Sequence, residues 1–195
     1  MTEMRLNEKL AVILIGPPGS GKGTYGKKIA EEMGGMYLNT GDVLREKKGK
    51  DKRLAVIDKG SLIDDKTILD ILQNFLEKVS SAPMVVLDGA IRTYFQSVAV
   101  VTHLKHMGYD PIITLELVLP REQCARRLLD RNHGRADDNA KVIHQRFTEY
   151  YEPLTKILQQ LKHKTILTKV STLGSIGEVH VRVRQELIAV LPVAK

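Results

Sequence analysis

The sequence predicts a three-layer α/β fold, a central parallel five-stranded sheet with helices on both faces, and three observations carry that expectation. Apolar runs of strand length recur at Leu10–Ile15, Pro83–Leu87 and Ile112–Leu119, without the alternation of a half-solvated sheet. Helical patterns stand between them, the order that joins parallel strands by crossovers. The first run leads straight into a glycine-rich turn, Gly16-Pro17-Pro18-Gly19-Ser20-Gly21-Lys22-Gly23-Thr24, and then a helical pattern. In such a sheet, ligands gather at the carboxyl ends of the strands.

The elements follow in chain order. After the first strand and turn, Ile29, Ala30 and Met33 mark the apolar side of a helix. Met36–Asn39 reads as a short strand, and Thr40 is expected to cap the helix that starts there. Helical patterns continue through Leu54–Lys59 and, after Gly60, from about Asp65 to Val79, with Ile68, Leu69, Leu72, Phe75, Leu76 and Val79 at helical spacing. The strand Met84–Leu87 ends in Asp88; a helix over Thr93–Met107 follows, with Gly108 as its stop. Ile112–Leu119 is the third strong strand, and Pro120 opens a helix over Arg121–Asp130. A short turn, Asn132–Ala136, precedes a long helix from near Asp137 through Leu161, which Pro153 is expected to kink or divide. Thr165–Val170 is the last strand. Ile176, Val179, Val183, Leu187 and Leu191 keep helical spacing to the end, longer than the competing alternation of Val179, Val181 and Val183.

The turn carries the first chemical signal. Gly16, Gly21 and Lys22 stand at the GxxxxGK spacing. Strand, glycine-rich turn and helix N-terminus in that order let successive N–H groups curl around a phosphate, with the lysine reaching the β/γ-phosphates. The general motif has Ser or Thr directly after the lysine; here Gly23 occupies that place and the hydroxyl comes one residue later, at Thr24. Asp88, at the end of its strand, is placed as a carboxylate that serves Mg²⁺ near the phosphates. Arg45, Arg92, Arg127, Arg131, Arg135 and Arg146 fall near element ends, where guanidinium forks suit crowded anions.

Composition narrows the classes. The 195 residues make one domain with a full core, 43% hydrophobic and 27% charged, and contain no repeat or linker. No apolar run approaches the ~20 residues of a membrane span, and no apolar block near the N-terminus suggests secretion. Cys124 is the only cysteine and is expected to be a buried structural thiol. A reducing compartment fits, the cytoplasm first and the nucleus as the other. The net charge of +7 invites a nucleic-acid reading. The only dense basic run, Lys47–Arg53, lacks interleaved aromatics, so it is expected to be a solvated segment, and no nucleic-acid or membrane partner is expected.

Taken together, the motifs resemble those of the adenylate kinases, a nucleoside monophosphate kinase branch of the P-loop NTPases. GPPGSGKGT is followed by Thr40-Gly-Asp-Val-Leu-Arg45, similar to TGDxLR, and by Asp58-Lys-Gly-Ser-Leu-Ile63, similar to KGxLV. Leu87-Asp-Gly with Arg92 and Gln96 resembles LDGFPRTxxQ; Arg127–Arg131, Gly134–Asp138 and Arg146 resemble RLLxR, GRxDD and the later arginine of the lid. Gly174 matches the glycine of the last loop. The resemblance implies a single kinase domain over residues 1–195, with an AMP-binding insertion at about 40–70 and a very short lid at about 131–138. It implies reversible Mg²⁺-dependent phosphoryl transfer from ATP to AMP by a cytoplasmic monomer of nucleotide biosynthesis. Gly19, Ser20, Gly21, Lys22, Gly23 and Thr24 would cradle ATP phosphates, with Arg127 and Gly174 at the adenine and Arg131 at the phosphates. Thr40, Arg45, Leu62, Ile63, Gly89, Arg92 and Gln96 would form the AMP site. Arg135 and Arg146 would close on both phosphate chains, and Asp88 would orient hydrated Mg²⁺ without a direct protein ligand.

This chain departs from the pattern in three places. Ala90-Ile91 stands where Phe-Pro is usual, the segment between Arg45 and Gly60 is shorter, and only Asn132-His133-Gly134 separates Arg131 from Arg135. Without the proline, the loop before Arg92 is expected to have more conformations to lose on binding, and AMP affinity to be lower. No Cys/His cluster in the lid could bind zinc. A UMP/CMP-type kinase is the nearest alternative, opposed by Thr40 and Gln96. A nucleotide-binding protein without kinase activity is the alternative from another class, opposed by Lys22, Asp88 and the arginines.

Overall fold

A computed structural model describes residues 9–48, 63–130 and 140–191. Five strands form one sheet: β1 (Lys9–Ile15), β2 (Met36–Asn39), β3 (Met84–Asp88), β4 (Tyr109–Val118) and β5 (Ile166–Ser171). Their order across the sheet is β2-β3-β1-β4-β5, and every pairing is parallel. The helices are α1 (Lys22–Glu32), α2 (Thr40–Lys48), α3 (Asp65–Lys78), α4 (Tyr94–His106), α5 (Arg121–Leu129), α6 (Ala140–Lys164) and α7 (Ile176–Val190). The expected helix over Leu54–Lys59, the lid and Leu62 lie outside the described residues.

Both faces of the sheet are covered, which explains why its central strands read as unbroken apolar runs. Ala11, Ile13, Ile15, Val85 and Leu87 pack on one face against Ile68 and Leu72 of α3, Val100 and Leu104 of α4, and Ile157 and Leu161 of α6. Leu10, Val12, Leu14, Met84, Val86, Ile113 and Leu115 pack on the other against Ile29 of α1 and Val179, Val183 and Leu187 of α7. Residues alternate between the two layers along β1 and β3 because a strand turns successive side chains to opposite faces. A third cluster joins α5 to α6 through Leu119, Cys124, Leu128, Ile143 and Phe147. Cys124 is fully buried there, as expected, and burial pushes its thiol up to about 11.

Three expectations about element ends are corrected, and of the two outcomes expected at Pro153, a kink or a division, the division does not occur. Thr40 does not cap α2: it is the first helical residue, and Asn39 Oδ1 accepts the Asp42 N–H at 2.9 Å instead. Asn39 ends β2 one residue earlier, so its side chain reaches the open amide while the Thr40 hydroxyl turns to the Asp88 carbonyl at 3.4 Å. Thr93 is a cap instead of the first helical residue: it precedes α4 and its side chain accepts from Gln96 N. Pro153 does not divide α6. Phe147 on one side of it and Ile157 and Leu161 on the other bury into separate clusters, and that packing outweighs the lost backbone bond. β4 begins at Tyr109, earlier than Ile112, because Lys9 extends β1 far enough to pair with it. The final helix forms as expected, fixed at its start by a Ser175–Glu178 capping box.

The strands' carboxyl ends set the site. β1 runs into the glycine-rich turn, β3 ends in Asp88 next to it, and Asn39 at the end of β2 lies beside Asp88 in register.

Candidate active site

The glycine-rich turn forms an open cradle at the start of α1. Gly21 is the N-cap residue, at φ 90°, and α1 has no side-chain cap and no acidic residue in its first turn. Its leading N–H groups are thereby left for an anion, with the helix dipole favouring negative charge. Gly19 has φ 86°, and a Cβ there would meet the Cys124 carbonyl oxygen at 2.5 Å, so the loop sits directly on the start of α5. Lys22 folds back over the loop, its Nζ donating to Gly16 O at 2.6 Å and Pro17 O at 3.1 Å. Burial lowers the Lys22 ammonium to about 8; Asp88 opposes that shift, while Arg92 and Arg146 add to it.

Asp88 is 4% exposed, and two donors meet on its Oδ2: Tyr37 Oη at 2.9 Å and Asn39 Nδ2 at 2.7 Å. Burial, and then the Asp88 charge, push the Tyr37 hydroxyl well above its ordinary range. Both residues lie on β2 two apart, on the sheet face toward α1.

A cleft of about 710 Å³ runs along these carboxyl ends. Gly19, Gly21, Lys22, Gly23 and Thr24 line it from the turn, Asp88, Gly89 and Arg92 from the end of β3, Arg45 from α2, Arg146 from α6, and Arg127 and Gly174 from the side of α5 and α7. Arg45 pairs with Asp42 at 2.5 Å. Arg127 donates to Thr172 O at 2.8 Å, which fastens α5 to the loop before α7. Ile176, the first residue of α7, is a largely exposed apolar side chain on this rim.

The remaining expected residues are placed differently. Ser20 is fully buried beneath the turn and Thr40 fully buried under Gly89, so neither side chain lines the cleft. Gln96 is also buried: its Oε1 accepts the Arg92 N–H at 2.6 Å, so it shapes the loop behind Arg92. Ile63 packs on the apolar layer of α3. Ala90 and Ile91 are buried in that same layer, and Ile91 also reaches the cleft. Leu62, Arg131 and Arg135 lie outside the described residues.

A cleft that brings the N-terminus of α1, Lys22, Asp88 and the guanidinium groups of Arg45, Arg92, Arg127 and Arg146 to one place is built for phosphate chains. The sequence profile of the family described as adenylate kinase matches residues 14–166. The chain belongs to the adenylate kinase family. It is 33% identical over 177 residues to the adenylate kinase of Phocaeicola vulgatus, covering 87% of this chain and 94% of that protein. Against an adenylate kinase of Thermus thermophilus it is 33% identical over 184 residues, 91% of this chain and 96% of that one. Against that of Porphyromonas gingivalis it is 31% identical over 181 residues, 89% and 93% of the two chains. Its function is that of an adenylate kinase, a nucleoside monophosphate kinase and phosphotransferase.

For adenylate kinase chemistry, Mg²⁺ is the expected companion of ATP. Among the described residues no group of three or more His, Cys, Asp or Glu could cage a metal. Mg²⁺ bound through phosphates and water needs no such cage, only a carboxylate within reach of its water shell, and Asp88 on the cleft wall fits that. Tyr37 and Asn39 escaped the reading of the sequence. They are recognisable only once β2 is known to lie beside β3, because the strand order brings them to Asp88. No described helix is long and apolar enough to cross a membrane.

Proposed function

We propose that this adenylate kinase binds Mg·ATP over the glycine-rich turn and AMP on the α2–α4 side of the same cleft, with the phosphoryl group passing between them beside Lys22. One observation supports this most: the turn, Lys22, Asp88, Arg45, Arg92 and Arg146 face a single cleft. Phosphoryl transfer needs little covalent help from the protein; positioning and neutralisation of the spreading charge do most of the work. The N–H groups of residues 19–24 would hold the β-phosphate, and Lys22 would leave Gly16 O and Pro17 O to follow the transferred group. Arg45 and Arg92 would hold the AMP phosphate, and Arg146 would bridge the two phosphate chains. Arg131 and Arg135 are proposed, from family resemblance, to approach from the lid, and Leu62 with Ile63 to border the AMP base. Asp88 would receive a hydrogen bond from water on Mg²⁺, whose chemistry is to draw charge off the phosphate oxygens. Thr40 and Gln96 act from beneath, holding the Gly89–Arg92 loop.

A monomer of the cytoplasm serving nucleotide interconversion is proposed from the family resemblance, and the buried Cys124 is out of reach of a disulfide between chains. The test is a coupled assay with Mg·ATP and AMP, CMP, UMP or GMP. Turnover with AMP far above the others, lost in Lys22→Ala without loss of fold, is expected. Preference for UMP or CMP would assign the site to the other branch, and full activity in Lys22→Ala would remove Lys22 from the reaction.

A further inference from the structure

The resemblance assigns no role to Tyr37 or Asn39, yet the only side-chain hydrogen bonds Asp88 accepts from described residues come from these two. Both go to Oδ2. Asn39 Nδ2 also lies 3.2 Å from Tyr37 Oη, so amide, phenol and carboxylate form a closed triangle. The surroundings are shaped for it. A Cβ at Gly26 of α1 would stand 2.7 Å from Tyr37 Cε2, so only glycine there leaves room for this ring. Gly23 brings the first turn of α1 against the same corner, where a Cβ would lie 3.5 Å from Tyr37 Oη and 3.8 Å from Asp88 Oδ2. The Lys27 ammonium lies over the ring, 5.9 Å from its centre.

We propose that Tyr37 and Asn39 are positioning residues that fix the Asp88 carboxylate by its Oδ2 and leave Oδ1 to accept from the water shell of the nucleotide's Mg²⁺. A carboxylate on a single bond can swing; two donors converging on one oxygen hold its plane and leave its other oxygen free of them. Groups that orient a metal's carboxylate partner commonly account for ten- to a hundredfold in affinity or activity. Asn39 does this while its Oδ1 caps α2. One side chain therefore links the Asp88 corner to the helix carrying Arg45, and the orientation of Asp88 is set together with the placement of α2. The inference rests on the kinase reading for its Mg²⁺ arm, but not for its structural arm.

The test is Tyr37→Phe, which keeps the ring against Gly26 and removes only the hydroxyl, with Asn39→Ser as a second variant. Serine retains a cap acceptor for α2 but loses the amide donor. The first readout is the ¹³Cγ resonance of Asp88 in nucleotide-free, metal-free protein, expected to move in both variants. The second is the free Mg²⁺ needed for half-maximal turnover, expected to rise about tenfold while KM for AMP stays within about twofold. An unmoved Asp88 resonance in both variants would overturn the proposal. So would a lowered melting temperature with unchanged Mg²⁺ dependence, since that marks Tyr37 as packing alone. If the unsubstituted protein turned over no nucleotide, the functional reading would fail by itself, and the Asp88 resonance would still decide whether the triangle holds the carboxylate.

Discussion

Replacing Lys22 by Met should make the nucleotide-free protein more stable as it abolishes turnover. The drop of the Lys22 ammonium from 10.5 to about 8 corresponds to on the order of 3 kcal/mol disfavouring the charged form in the folded state. Met keeps the stem's packing and removes that charge, but it leaves Gly16 O and Pro17 O without their donor, a loss of about 1–2 kcal/mol. The net expectation is a gain of about 1–2 kcal/mol at neutral pH, or roughly 2–8 °C in melting temperature for a domain of this size. The sign with pH follows from proton counts. Between about 8 and 10.5 the unfolded chain holds the Lys22 proton more often than the folded one, so stability of the unsubstituted protein rises with pH there. Its disadvantage against the Met variant is therefore complete below about pH 8, shrinks through that window, and disappears above it. Thermal melts of both proteins without nucleotide, at neutral pH and near pH 10, make the measurement. A Met variant that melts lower at pH 7, or a difference that does not change with pH, would refute the buried-ammonium argument. The same group shapes catalysis: kcat/KM for Mg·ATP should fall above about pH 8, whereas bound phosphates favour the ammonium and move the limb in kcat to higher pH.

Gly26→Ala should lower stability by about 1–3 kcal/mol, because its Cβ would press on Leu14 Cδ1 and Tyr37 Cε2, each at 2.7 Å; denaturant melts check this, and an unchanged midpoint would contradict it. Ala90→Phe with Ile91→Pro should not raise AMP affinity and should cost about 1–3 kcal/mol of stability, since both residues are already buried in the α3–α4 layer; calorimetry with AMP and a melt of the same variant decide it. Metal analysis of the purified protein should find no stoichiometric zinc, because residues 131–138 supply one imidazole, His133, and no thiolate; zinc whose removal abolishes activity would contradict that.

These expectations mark how far the sequence alone reached. The turn from Gly16 to Thr24 was legible because its chemistry is local: strand, glycines, lysine and helix start are consecutive in the sequence. Asp88, Arg92 and Arg146 were legible through spacing, and the cleft does gather them. Strand β1 and helix α3 were legible because burial on both faces and on one face leave distinct periods. Three things were hidden, each for a physical reason. The cap of α2 passed from Thr40 to Asn39, a shift of one residue that depends on where β2 ends. Pro153 stayed inside α6 because apolar contacts on either side of it outweigh a local penalty. The Tyr37–Asn39–Asp88 triangle depends on β2 lying beside β3, and a chain of residues does not display the order of its strands. At Ala90-Ile91 the sequence displayed a missing proline but not the burial of both side chains; the calorimetry with AMP decides between the lower affinity expected from the sequence and the restraint that this packing would supply.

One cleft that holds two adenosine nucleotides and moves a phosphoryl group between them must work in both directions. The most direct measurement supplies ADP alone with Mg²⁺ and follows the ³¹P spectrum. The protein should convert ADP into ATP and AMP in equal amounts until equilibrium, and Lys22→Ala should not. ADP left unchanged, or ADP hydrolysed to AMP and inorganic phosphate without ATP, would contradict it.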